Sequence, residues 1–108
     1  MKTMKFRSFK ADMILAGAKT SSLRLFDDKS FAAGDEFELV RWETGEVFAH
    51  AVITHIIEKP ISEIQEEDLL GHEPFPENDM LGSLKQYYPE ATPNTMGKIV
   101  QFRLLGKE

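Results

Sequence analysis

The chain has 108 residues, 42% hydrophobic and 29% charged, with no cysteine. That length fits one domain with a core that needs no staples, and the missing cysteine excludes a disulfide framework, a Cys-ligated zinc site and a thiol nucleophile. The formal charge of −5 argues against bulk nucleic-acid binding, but residues 1–24 carry +5, residues 25–79 carry −12 and residues 80–108 carry +2.

Both ends are basic and the middle is acidic, so pairing of the ends in space would give the molecule a basic side. No apolar run approaches the ~20 residues of a membrane span, and the first residues lack a signal-peptide core. A soluble, cytoplasmic domain spanning residues 1–108 is the expectation.

The segment between Phe6 and Phe9 suits a strand or a helix lead-in. Lys10 to Ala16 reads as a short helix, with Asp12 in its first turn, Met13 and Ala16 on one face, and Gly17 as its stop. Residues 18–24 are small, polar and compatible with a strand. Residues 25–34 read as a loop ending in the turn signal Ala33-Gly34-Asp35.

Glu36 to Glu43 alternates, with Phe37 and Leu39 on one face. Thr44-Gly45 marks a turn, and Val47 to Ile57 returns as a second, β-branched strand that Pro60 ends. Ser62 and Gln65 form a capping-box pattern opening a helix over 62–70, closed by Gly71. A loop over 72–76 precedes a helix starting at Pro76 or Asn78, carrying Met80, Leu84 and Tyr87 at helical spacing and stopped by Pro89. Lys98 to Leu105 alternates as the last strand, with Val100, Phe102 and Leu104 facing one way and Gln101 and Arg103 the other. Antiparallel strands with helices between them point to an α+β fold with a small curled or barrel-like sheet. Closing it would bring the first and last strands, and the two basic ends, together.

Several weak signals are set aside. Gly17-Ala18-Lys19-Thr20 echoes the end of a phosphate loop but lacks the upstream glycine. His50 and His55, five apart on a strand, point to opposite faces, and His72 stands alone, so no histidine metal site is expected. Trp42 and Phe48 read as packing residues. The run Lys19-Thr20-Ser21-Ser22-Leu23-Arg24 is different. A hydroxyl becomes a nucleophile when a base takes its proton, and a lysine of lowered pKa can be that base. The same run also reads as a solvated edge.

In this order and spacing, Gly17-Ala18-Lys19-Thr20, Arg24 and Phe31-Ala32-Ala33-Gly34-Asp35 resemble the ASCH domain family. The strand over 47–57, the acidic segment 62–70, Tyr87-Tyr88-Pro89 and Ile99-Val100-Gln101-Phe102 fit the same pattern, so the resemblance covers essentially the whole chain. It implies a small PUA-like β-barrel with helices closing a cleft, and a link to RNA or modified nucleosides. A small bacterial branch of the family is similar over its full length and deacetylates acetylated cytidine. Carried over by position, its catalytic pattern falls on Lys19, Ser22 (where that branch has threonine) and Glu73, with Thr20, Arg24, Arg7 and Lys5 as substrate-binding candidates. In that scheme Glu73 protonates the leaving amine.

Two functions follow. One is an amidohydrolase of acetylated cytidine or a related nucleoside. The other is a non-catalytic RNA-binding module using Lys5, Arg7, Lys10, Lys19, Arg24, Lys98 and Arg103. The expected partner is a modified nucleoside or short RNA, with no cofactor, no metal and no membrane.

Overall fold

The computed structural model describes residues 2–26, 29–75 and 79–107. Five strands and two helices follow in the order β1 (Lys2–Phe6), α1 (Ser8–Leu15), β2 (Ser21–Leu25), β3 (Glu36–Arg41), β4 (Val47–Pro60), α2 (Met80–Lys85) and β5 (Met96–Lys107). Two 3₁₀ turns, Ile61–Glu63 and Glu66–Leu69, stand between β4 and α2.

The strands form one mixed sheet in the order β1-β3-β4-β5-β2. Only β1–β3 is parallel; the other neighbours are antiparallel. The architecture is a curled half-barrel of the small α+β PUA-like kind. Its end strands are β1 and β2, so the contact expected between the first and last strands is made by the first and second instead. The Arg24 guanidinium on β2 donates to the Lys5 carbonyl on β1 at 3.0 Å and spans the open side.

Helix α1 begins two residues earlier than the sequence suggests. Its start is held from a distance: the Glu43 carboxylate accepts from the Ser8 backbone N–H at 3.1 Å and from the Ser8 hydroxyl at 3.1 Å. Its stop is local. Gly17 takes a φ of +82°, and the Ala18 N–H donates back to the Met13 carbonyl at 2.9 Å, the pattern of a glycine-terminated helix. The buried face is Ala11 and Ile14, not Met13 and Ala16.

The acidic segment 62–70 is not one helix. Ile61 and Ser62 give their N–H groups to Thr95 and Pro93 carbonyls, and Gln65 is extended. The capping box sits at Gln65 and Asp68, three residues past the predicted one. Asp68 also takes the Lys59 ammonium at 2.8 Å. The next helix is shorter than its pattern suggests and is capped by Asp79, whose carboxylate accepts from the Gly82 N–H at 2.9 Å. Its expected starts, Pro76 and Asn78, lie outside the described residues. On β4, a β-bulge between Ile53 and His55 interrupts the alternation, and Thr54 and His55 are both exposed.

Two apolar clusters fill the fold. In the first, α1 packs its Ala11 and Ile14 with Phe6, Phe37, Phe48 and Phe102; Phe37 and Phe102 meet edge to face at 5.7 Å between centroids. In the second, Leu23, Leu25 and Ile99 pack against Ile61 and Leu84 from the 3₁₀ turns and α2. The β2–β5 end of the sheet is therefore covered on both faces, and a cavity lies where the clusters meet. Among the described residues, no helix is long and apolar enough to cross a membrane.

Candidate active site

The cavity has a volume of about 380 Å³ and draws walls from both clusters, Phe6 from one and Leu23 and Leu84 from the other. That is within the usual range for small-molecule sites. Lys5, Arg7, Lys19, Ser22, Arg24 and Glu73 all line it. Thr20 does not; it lies against the glycine that opens the Glu73 loop.

Lys19 stands between the end of α1 and the start of β2, so the strand's alternation does not apply to it, and it shares the cavity with Ser22 and Arg24. Only 2% of its surface is exposed. Its ammonium pairs with Glu73 Oε2. Lys10 of α1 reaches the other oxygen, Oε1, at 3.5 Å. One carboxylate is thus held by two lysines from different elements.

The Glu73 loop is fixed by backbone bonds. Gly71 O accepts the N–H groups of Thr20 at 2.8 Å and Ser21 at 3.3 Å, tying the loop to the Lys19 segment. Gly71 has φ +80°, and a Cβ there would collide with the Thr20 hydroxyl. Gly71→Ala is therefore expected to destabilise the protein by about 2 kcal/mol or more. It should also free Glu73 from Lys19, read as a drop in denaturation midpoint and a change in the Lys19 titration.

Burial is the main force on Lys19. It pushes the ammonium pKa down from 10.5 to about 8, with Lys10 and Arg24 adding to the effect and Glu73 opposing it. Burial also works to raise the Glu73 carboxyl, but the Lys19 charge and hydrogen bond, with His72, outweigh it and hold the carboxyl below its ordinary value. Glu73 is therefore ionised at neutral pH in the resting site.

Three side chains have roles here that their sequence positions did not signal. His72 is half-buried in the cavity wall, its side chain 7% exposed and its ring stacked on Phe75 at 4.8 Å. Lys10 is the second lysine on Glu73. Trp42 is 56% exposed at the cavity mouth, outside the core. Arg7 lies 4.8 Å and Lys5 5.9 Å from its ring. Phe48, its partner in the sequence reading, is buried in the core. Of the other basic residues, Lys98 lines a separate shallow depression with Arg24 and Phe26, and Arg103 is exposed on β5. Among the described residues, no three His, Asp or Glu side chains are grouped to hold a metal ion.

No protein-family model matches this chain, and no curated protein does. Solved structures match its fold over most of its length. The ASCH domain from Lactobacillus crispatus superposes with a TM-score of 0.71 at 13% identity, covering 97% of this chain and 80% of that one. A variant of ZmASCH from Zymomonas mobilis gives 0.71 at 14% identity, covering 94% and 67%. The hypothetical protein PH0355 gives 0.69 at 18% identity, covering 97% and 100%. At these identities the likeness is one of fold. The chain has the ASCH fold, in agreement with its motifs.

Proposed function

We propose that this ASCH-fold domain is a small amidohydrolase that removes the acetyl group from acetylated cytidine or a related modified nucleoside. The observation that carries the reading is the shared cavity of Ser22 and a buried Lys19 paired with Glu73. A lysine with its pKa near 8 is neutral in about a tenth of molecules at pH 7 and can act as a base. The enclosing apolar walls suit a planar base, and the nearby guanidinium of Arg24 suits a developing oxyanion.

In the proposed cycle, neutral Lys19 takes the Ser22 hydroxyl proton while Ser22 Oγ attacks the acetyl carbonyl. The tetrahedral intermediate collapses as the Lys19 ammonium gives that proton to the leaving amine, releasing cytidine and leaving an acetyl ester on Ser22. Water then gives a proton to Lys19, its hydroxide attacks the ester, and Ser22 Oγ leaves with that proton. Acetic acid and free enzyme result, and the acid gives its proton to solvent to become acetate. The scheme implied by the resemblance gives the acid role to Glu73. An ionised carboxylate cannot donate a proton, so here Glu73 orients Lys19 and Lys19 carries the proton both ways.

The test is hydrolysis of N-acetylcytidine followed by product analysis. Ser22→Ala should lower turnover at least about a thousandfold, with folding unchanged. Ser22→Thr, which keeps the hydroxyl, should retain measurable activity. No turnover by the parent at high enzyme concentration would overturn the reading.

A second reading, a binder of single-stranded RNA, is favoured by the cavity mouth. Trp42 lies beside Arg7 and Lys5, and Tyr87, 49% exposed, has the Lys10 ammonium 5.1 Å from its ring. Exposed rings flanked by cations are suited to stacked bases and phosphates. Trp42 is the sole tryptophan, so its fluorescence reports directly. Under this reading a short oligonucleotide quenches it, and replacing Tyr87 by Ala weakens binding about tenfold. Unquenched fluorescence at high oligonucleotide concentration would remove this reading.

A further inference from the structure

The cavity is rich in donors and poor in acceptors. Lys5, Arg7, Lys10 and Arg24 can only donate, as does Lys19 in its charged form. The Glu73 carboxylate accepts, but Lys10 and Lys19 already engage its two oxygens. Hydroxyls and the Gln86 amide can turn either way. His72 is the exception. Its Nδ1 lies 2.7 Å from the Glu73 carbonyl oxygen, which can only accept, so Nδ1 must carry the hydrogen. In the neutral ring this leaves Nε2 with its lone pair free to accept. Burial and the Lys19 charge favour that neutral ring, against the weaker pull of Glu73. Stacking on Phe75 and the Nδ1 bond fix the ring's orientation. Nε2 makes no hydrogen bond among the described residues, and it is not among the sealed, unpartnered atoms of the interior.

We infer that His72 is a specificity residue whose Nε2 accepts the N–H of a secondary amide at the reacting centre, so that the site selects N-acylated amines over N-alkylated amides. This rests on the hydrolase reading above. An amide that keeps its N–H satisfies the lone pair, and its carbonyl faces the donors. An N-methyl amide leaves Nε2 unpaired in a buried wall, which such sites reject strongly. The role is separate from the proton transfers: His72 touches the substrate and moves no proton.

The experiment compares N-acetylcytidine with its N-methyl derivative on three proteins: the parent, His72→Phe and His72→Gln. His72→Phe keeps an aromatic ring for Phe75 and removes the acceptor; His72→Gln returns an acceptor. The expected result is a fall of about tenfold in kcat/KM for the N–H amide in His72→Phe, with the N-methyl amide changed by less than about twofold, and partial recovery in His72→Gln. Equal losses on both substrates would overturn the inference and leave the hydrolase intact. If the parent turns over neither compound, the hydrolase reading fails, and equilibrium binding of the same pair decides. A preference for the N–H amide that His72→Phe abolishes supports the acceptor role. Equal affinities, an unchanged preference, or no binding of either compound overturns it.

Discussion

A Lys19→Met/Glu73→Leu double variant is expected to melt several degrees above the parent at pH 7 and to have lost all hydrolysis. Lys19 is 2% exposed, and a shift of its pKa from 10.5 to about 8 means that keeping it charged at neutral pH costs about 3 kcal/mol relative to water. That net cost already includes the opposing pull of the Glu73 charge and hydrogen bond, so burial outweighs the pairing. Replacing a buried ion pair by apolar side chains of similar size is commonly neutral or stabilising by about 1–4 kcal/mol. Met and Leu would extend the apolar walls already supplied by Leu23 and Leu84. Lys10, with a quarter of its side chain exposed, can turn to solvent once Glu73 is gone.

The single variants differ. Lys19→Met leaves the Glu73 carboxylate, 15% exposed, with Lys10 at 3.5 Å as a remaining partner. Glu73→Gln leaves Lys19 without its anion, and the lysine can escape the cost by losing its proton. Both singles should therefore lie below the double variant in stability, a non-additivity expected of contacting charges. Denaturant midpoints of the four proteins measure it. A double variant less stable than the parent would show that the pair holds the fold together rather than being a strained device maintained for function.

What could be read from sequence divides by range. Short-range signals located the elements set by neighbouring residues: the hairpin about Gly45, the Gly17 helix stop and the Pro60 end of β4. They failed where a distant group decides. Helix α1 starts at Ser8 because a carboxylate 35 residues away engages it. The stretch 61–69 breaks into 3₁₀ turns because its first N–H groups bond to the 93–95 loop. The site follows the same rule. Lys19, Ser22 and Arg24 lie within six residues and form a visible motif. Glu73 came only through resemblance, since 54 residues separate it from Lys19. Its ionisation was hidden too, because the opposing effects of burial and the Lys19 charge have no signature in one dimension. Trp42 sits on an alternating strand pattern that reads as core or rim packing and cannot choose between them; the hairpin end places it at the cavity mouth.

The rate of hydrolysis should rise about tenfold per pH unit below pH 8 and level off above it, since neutral Lys19 is the working base. In kcat/KM this limb reports the free enzyme. Two substitutions should move it in opposite directions. Glu73 raises the Lys19 pKa through its charge and its hydrogen bond, so Glu73→Gln should shift the limb to lower pH while lowering the plateau, because Lys19 loses the group that orients it. Lys10 lowers the Lys19 pKa, so Lys10→Met should shift the limb upward by a smaller amount. Stability has its own pH signature. The folded Lys19 pKa lies below its unfolded value, so between about pH 8 and 10.5 the unfolded chain binds more protons, and this lysine makes stability rise with pH across that window. Glu73 acts in the acid range: its depressed carboxyl contributes stability above the ordinary carboxylate range, and this is lost as pH falls through its folded value. Rate profiles and denaturation midpoints on the same three proteins separate the two effects. A limb that stays at the parental pH in Glu73→Gln, or moves upward, would remove Lys19 from the role of base.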